Sequence, residues 1–114
     1  MPIVDDEGFR PDDAVEPIEP GALASGAAAG SGLAVRIPND ADPASLVPDF
    51  DRIALILVPF PSFADGRGFS LAARLRALGY RGRLRAEGHL IADQYPFARS
   101  VGFDEVAIPA SIAA

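Results

Sequence analysis

The sequence predicts one small α/β domain: a mostly parallel four-stranded sheet with crossover helices, preceded by an acidic, Pro-rich N-terminal segment. Three observations carry this. From residue 33 onward, short apolar runs alternate with stretches of helical spacing, the order that produces parallel strands joined by right-handed crossovers. The run Ile53-Ala54-Leu55-Ile56-Leu57-Val58 is apolar on both faces, as a central strand covered on both sides requires. The 114 residues, 49% hydrophobic and 23% charged, suffice for a single buried core.

The elements follow in order. Residues 1–32 form the acidic, low-complexity N-terminal segment, and residues 33–114 the α/β domain. Pro2, Pro11, Pro17 and Pro20 keep residues 1–20 from forming a helix but allow a short extended pair around Glu7-Gly8. Residues 21–32 have one large apolar side chain, Leu23, and read as a mobile linker or a weak helix, so regular structure should begin at Leu33. Leu33 to Ile37 is the first strand of the domain. A short helix opens at Asp42 or Pro43, with Asp42 as cap and Pro43 in the first turn, and runs to Val47.

The central strand, Arg52 to Val58, comes next. Ser70 then caps a helix with Leu71, Leu75 and Leu78 on one face and Gly79 as its stop. Arg83 to Glu87 is a strand whose charged residues alternate with Leu84 and Ala86. That pattern implies an edge position, or a face turned to solvent, the N-terminal segment or a partner. A helix from about Leu90 to Val101 contains Pro96, which should kink or restart it, and Gly102 stops it. Glu105 to Ile108 is the last strand.

Composition excludes several kinds of function. Without cysteine there is no disulfide, thiol redox chemistry, iron–sulfur ligation or cysteine-bound zinc. No apolar run approaches the roughly 20 residues of a membrane span. Acids stand at Asp5, Asp6 and Glu7 where a signal peptide needs bases, so a cytoplasmic location is expected. The net charge of −6 is unevenly spread. Residues 1–51 hold eleven acids against two arginines, a balance of −9, and residues 52–114 hold eight arginines against five acids, a balance of +3. Such a basic half can bind anions, or the acidic segment can lie over it and neutralise it. Arg74, Arg76, Arg81, Arg83 and Arg85 cluster within twelve residues. In an acidic chain they favour intramolecular pairing or a negatively charged protein partner over nucleic acid.

Open parallel sheets bind ligands beyond the carboxyl ends of their strands. There the sequence places Asp65-Gly66-Arg67-Gly68-Phe69-Ser70. Gly66 and Gly68 permit a tight turn, the following helix offers free N–H groups, and Arg67 adds planar donors. Gly66, Arg67, Gly68 and Ser70 are thus an anion-binding candidate, and a turn tied by an Asp65–Arg67 contact is the competing reading. The spacing is neither a P-loop nor a dinucleotide fingerprint. Asp65 and Asp93 form a candidate carboxylate pair for acid/base work, with Gln94 nearby. His89, the single histidine, cannot make a metal site unaided, and no metal is expected.

The stretch Phe60-Pro61-x-Phe63-x-Asp65-Gly66-Arg67-Gly68-Phe69-Ser70 resembles the central motif of a bacterial family, domain-of-unknown-function family 934. The likeness continues through Leu75-Arg76, Gly79-Tyr80, Gly82-x-Leu84-Arg85-Ala86-x-Gly88, Asp93-Gln94, Arg99 and Gly102-Phe103-Asp104. The resemblance adds Arg85, Gln94 and Arg99 as candidate site residues. It also implies a gene neighbourhood of sulfite reduction and a "probable oxidoreductase" label attached to no established reaction. Val101 stands where many members have a cysteine, so a thiol mechanism for the family would fail in this chain. His89 stands where an acid is common.

The resulting expectation is an accessory or binding protein of sulfite or sulfur assimilation, holding a small anion or docking a reductase. An oxidoreductase with a borrowed cofactor is the alternative, and no cofactor is identified. A homodimer is expected, formed through the strand from Arg83 to Glu87 or through the aromatic residues Phe60, Phe63, Phe69 and Tyr80; the competing reading is that these rings fold back over the helix from Ser70 to Leu78 and complete the monomer's own core.

Overall fold

The computed structural model describes residues 3–5, 8–10, 16–24, 30–38, 41–60, 67–88 and 95–107. Strands β3 (Leu33–Arg36), β4 (Ile53–Phe60), β5 (Arg83–Gly88) and β6 (Glu105–Ala107) pair in parallel and in sequence order. This is the four-stranded parallel layer that the alternating sequence pattern predicts. Before it come β1 (Ile3–Asp5) and β2 (Gly8–Arg10), an antiparallel pair whose first strand lies antiparallel to β6. Among the described residues the sheet is therefore six-stranded, ordered β2-β1-β6-β5-β4-β3. Regular structure begins at Ile3, not at Leu33, because β6 offers an edge for the N-terminal pair.

The connections are a 3-10 helix, Pro43–Arg52, and two α-helices, α2 (Arg67–Ala77) and α3 (Tyr95–Ser100). A shorter helix, α1 (Pro20–Ala24), precedes β3. Asp42 caps the 3-10 helix as its sequence context predicts, accepting from the Ala44 N–H at 3.0 Å, but the helix extends to Arg52. Leu23 is buried in the core cluster, so residues 20–24 form a packed turn of helix.

Strand order dictates where the core sits. With β3 to β6 laid down in one direction, crossovers of a single hand carry every connecting helix to the same face. Val35, Ile56, Val58, Phe60, Leu84, Ala86 and Val106 turn to that face and cluster with Leu46, Phe69, Leu71, Ala72, Leu75, Ala98 and Phe103 from the connections. The opposite face carries the other alternation: Arg36, Leu55, Leu57, Arg83, Arg85, Glu87 and Glu105.

The two connecting α-helices, α2 and α3, stop in the same way. Beyond α2 the Gly79 N–H donates to Arg76 O and the Tyr80 N–H to Leu75 O. Beyond α3 the Gly102 N–H donates to Arg99 O and the Phe103 N–H to Ala98 O. These are two Schellman motifs, with glycines at φ +102° and +115° and a buried aromatic ring directly after each.

Several sequence expectations are corrected here. β5 is not an edge strand, since it lies between β4 and β6, and its charges are accommodated by pairing across strands. Ser70 does not cap α2, which begins three residues earlier at Arg67. Pro96 is the second residue of α3, the described part of the helix expected over Leu90 to Val101. It occupies the first turn of α3, where its missing N–H has no intrahelical partner to lose; residues 90–94 lie outside the described residues. Phe60, Phe69 and Tyr80 are buried in the chain's own core and present no surface to a second copy. Phe63 lies outside the described residues.

Candidate functional site

At the carboxyl edge of the sheet, β4 ends at Phe60, β5 at Gly88, and α2 opens at Arg67. A ring cluster welds these ends together. Phe60 packs against Phe69 at a centroid distance of 4.9 Å and against Phe103 at 5.9 Å, and Phe69 meets Phe97 edge-on at 4.7 Å. Phe97 remains 55% exposed, so the cluster reaches the surface on α3. Gly68 lets α2 approach this closely, because a Cβ there would stand 2.3 Å from the tip of the Phe60 ring. Gly68 lies within the helix and serves this approach, so the turn assigned to it from sequence is not its role.

Arg67 is exposed at the first residue of α2, and Ser70 is exposed within the first turn. The first turn of α2 contains no acidic residue. A cation at a helix N-terminus opposes the dipole there, the reverse of the stabilising arrangement. Among the predicted site residues, Asp65, Gly66, Asp93 and Gln94 lie outside the described residues, as does His89. Arg67, Gly68 and Ser70 do converge on one turn of helix beyond the central strand.

Arg85 and Arg99 are placed elsewhere. Arg85 is 3% exposed on the face away from the helices, where its guanidinium meets Glu105 at 2.8 Å. Arg83 approaches the other oxygen of the same carboxylate at 2.6 Å. Arg36 of β3 reaches over β4 to Glu87 of β5, a pairing that holds the Arg36 pKa above its ordinary value. Arg99 lies 4.0 Å from Asp104 at the opposite, amino end of β6.

That amino end is organised by Arg76. Its Nε and one terminal nitrogen donate to Gly102 O, the other terminal nitrogen donates to Tyr80 O and Gly82 O, and Asp104 accepts at 2.9 Å. Asp104 also accepts from the Leu84 N–H, and its own N–H donates to Leu84 O. One guanidinium thus ties the stop of α2 to the stop of α3 and both to β5. Sequence reasoning placed Arg76 in a basic cluster and missed this bracket, although its partners Gly79-Tyr80, Gly82 and Gly102-Phe103-Asp104 were visible as one spaced set.

The arrangement sorts the charges of the basic half by role. Arg76, Arg83 and Arg85 take their carboxylates from Asp104 and Glu105 within that half, and Asp42 meets Arg74 in an exposed contact at 3.7 Å. Among the described residues no group of three His, Cys, Asp or Glu side chains could hold a metal ion, and no helix is long and apolar enough to cross a membrane.

No curated protein and no solved structure matches the chain. Residues 34–114, from the second residue of β3 through β6 with both Schellman stops and the Arg76 bracket, match a family described as bacterial protein of unknown function. The chain belongs to that family, DUF934.

Proposed function

We propose that this chain is an accessory binding protein of sulfur assimilation. It takes a small oxyanion at the carboxyl edge of the sheet and serves a reductase partner. One observation carries the reading: α2 opens with an exposed arginine, beyond the central strand, at the end of the helix that already favours negative charge. Gly68 lets the first turn of α2 pack directly against the Phe60 ring at the end of β4, which fixes where that turn stands. Sulfite, sulfate and phosphate share the charge and the tetrahedral or pyramidal oxygens that such donors accept.

Thermal unfolding in the presence of each anion tests this. Ligand at about 100 times its Kd adds about 2.7 kcal/mol to stability. Sulfite or sulfate should raise the Tm of the wild type and leave Arg67→Ala unmoved. Equal stabilisation of both would remove the site. The competing assignment, an oxidoreductase with a borrowed cofactor, requires a flavin or haem spectrum in the protein or its complex. Homodimer formation belongs to the proposal on a surface other than β5 and the buried rings. Light scattering should then give about twice the 11.9 kDa chain mass.

A further inference from the structure

At the other end of the sheet a cleft of about 470 Å³ opens beside the amino ends of β4 and β5, lined by Ala54, Arg76, Tyr80, Arg81, Gly82, Arg83 and Asp104. We propose that this cleft binds carboxylates, with Arg81 as the recognising residue.

The charge inventory of the lining leads there. Arg76 has all its donors engaged with three carbonyl groups and Asp104, so it shapes the cleft but has none left for a ligand. Asp104, the one acid of the lining, is held by Arg76 and by the Leu84 N–H, which cancels its charge locally. Arg83 turns to Glu105. Arg81 is exposed and, among the described residues, has no ion pair or hydrogen bond with a side chain, so a cation stands on the wall of a concave surface with no described counter-charge beside it. The volume falls within the range of small-ligand sites.

The class of anion follows from the helix. α2 ends above this cleft, and the carbonyl end of a helix carries partial negative charge. A phosphate or sulfate, whose charge is concentrated on one tetrahedral group, is disfavoured there, whereas an organic acid or acidic peptide presents its charge one carboxylate at a time. A singly charged, planar carboxylate matches the fork of a guanidinium in two parallel hydrogen bonds. The carboxylate can come from a free organic acid or from an acidic peptide of a partner protein. This site is at the opposite end of the sheet from Arg67, and neither proposal depends on the other.

Calorimetric titration of the full chain tests it with three probes: citrate, a penta-glutamate peptide and inorganic phosphate. Citrate or the peptide should bind, and Arg81→Ala should weaken that binding at least on the order of tenfold, as loss of about 1.4 kcal/mol requires. Arg67→Ala should leave it unchanged. Binding of citrate identifies a free acid as the source; binding of the peptide alone identifies a protein partner. Arg81 is exposed and makes no side-chain bond among the described residues, so the variant should melt with the wild type, which separates lost binding from lost fold. Absence of carboxylate binding, binding that survives Arg81→Ala, or Arg81-dependent binding of phosphate alone would overturn the assignment.

Discussion

Arg85 and Glu105 are register partners on adjacent parallel strands, each 3% exposed, with their guanidinium and carboxylate 2.8 Å apart. The pair explains how a strand with alternating charges can lie inside a sheet. One oxygen of Glu105 takes Arg83 as well, and Glu87 of β5 takes Arg36, so the charged side chains of β5 are paired across both neighbouring sides.

Breaking that pair from one side should be costly. Glu105→Leu leaves Arg85 buried without its counter-ion and should lose about 3–5 kcal/mol. The double variant Arg85→Met with Glu105→Leu should lose much less than the two single changes combined, because Arg83 is half exposed and can turn to water. Urea unfolding of the four proteins measures the coupling, and additive losses would show that the pair acts as two independent residues.

Arg76 should resist conservative replacement. A lysine has one nitrogen in place of a planar fork and cannot serve Tyr80 O, Gly82 O, Gly102 O and Asp104 together. Arg76→Lys should cost on the order of 2–3 kcal/mol through carbonyl groups left unsatisfied. Hydrogen exchange should accelerate at Tyr80 and at Phe103 in parallel, since one side chain ties both helix stops.

The contact of Gly68 with Phe60 predicts a suppressor. Gly68→Ala drives a methyl group into the ring and should cost about 1–3 kcal/mol by overpacking. Adding Phe60→Leu should recover part of that loss, because the obstructing atoms belong to the ring tip. Gly88→Ala should have no such rescue: there the Cβ would stand 2.5 Å from the backbone oxygen of Phe60, which no side-chain change removes. Chemical denaturation of the three variants and the double mutant checks both statements.

Alkaline pH should probe Tyr80. Its burial, foremost, raises the hydroxyl pKa well above the ordinary 10.0, and the hydroxyl donates toward Ile53 O and Arg83 O. A raised folded-state pKa means that the protonated ring is favoured in the native protein. Its contribution is therefore complete below about pH 10 and is lost as pH climbs toward the folded value. Stability followed by urea midpoint from pH 8 upward should fall above pH 10, and Tyr80→Phe should flatten that limb. An unchanged slope in the variant would assign the fall to other groups.

Much of the fold was legible in the sequence because it rests on local chemistry. Asp42 before Pro43 announced a helix start, and Gly79 and Gly102 announced two stops. Glycine before an aromatic residue is what a Schellman turn with a buried ring requires. The apolar run from Ile53 announced a strand with both neighbours. The candidate site was legible only in part. Arg67, Gly68 and Ser70 do share one turn of helix, yet Gly68 proved to be a packing contact, and the helix begins three residues before its predicted cap. The hydrogen-bonding role of Arg76 was hidden, because a basic cluster in sequence does not reveal which side chains point to carbonyl groups.

What the sequence determined by itself is thus the succession of elements, their stops, and the absence of thiol chemistry in a chain without cysteine. Propensity, capping and periodicity act within a few residues and need no tertiary partner. What only the tertiary structure decided is which charges meet: Arg36 with Glu87, fifty-one positions apart, Arg76 with Asp104, and Arg85 with Glu105. Those pairings depend on strand order and register, which follow from closing one shared core. A charge pattern that in isolation reads as an edge strand becomes an interior one when the neighbouring strands supply its counter-ions.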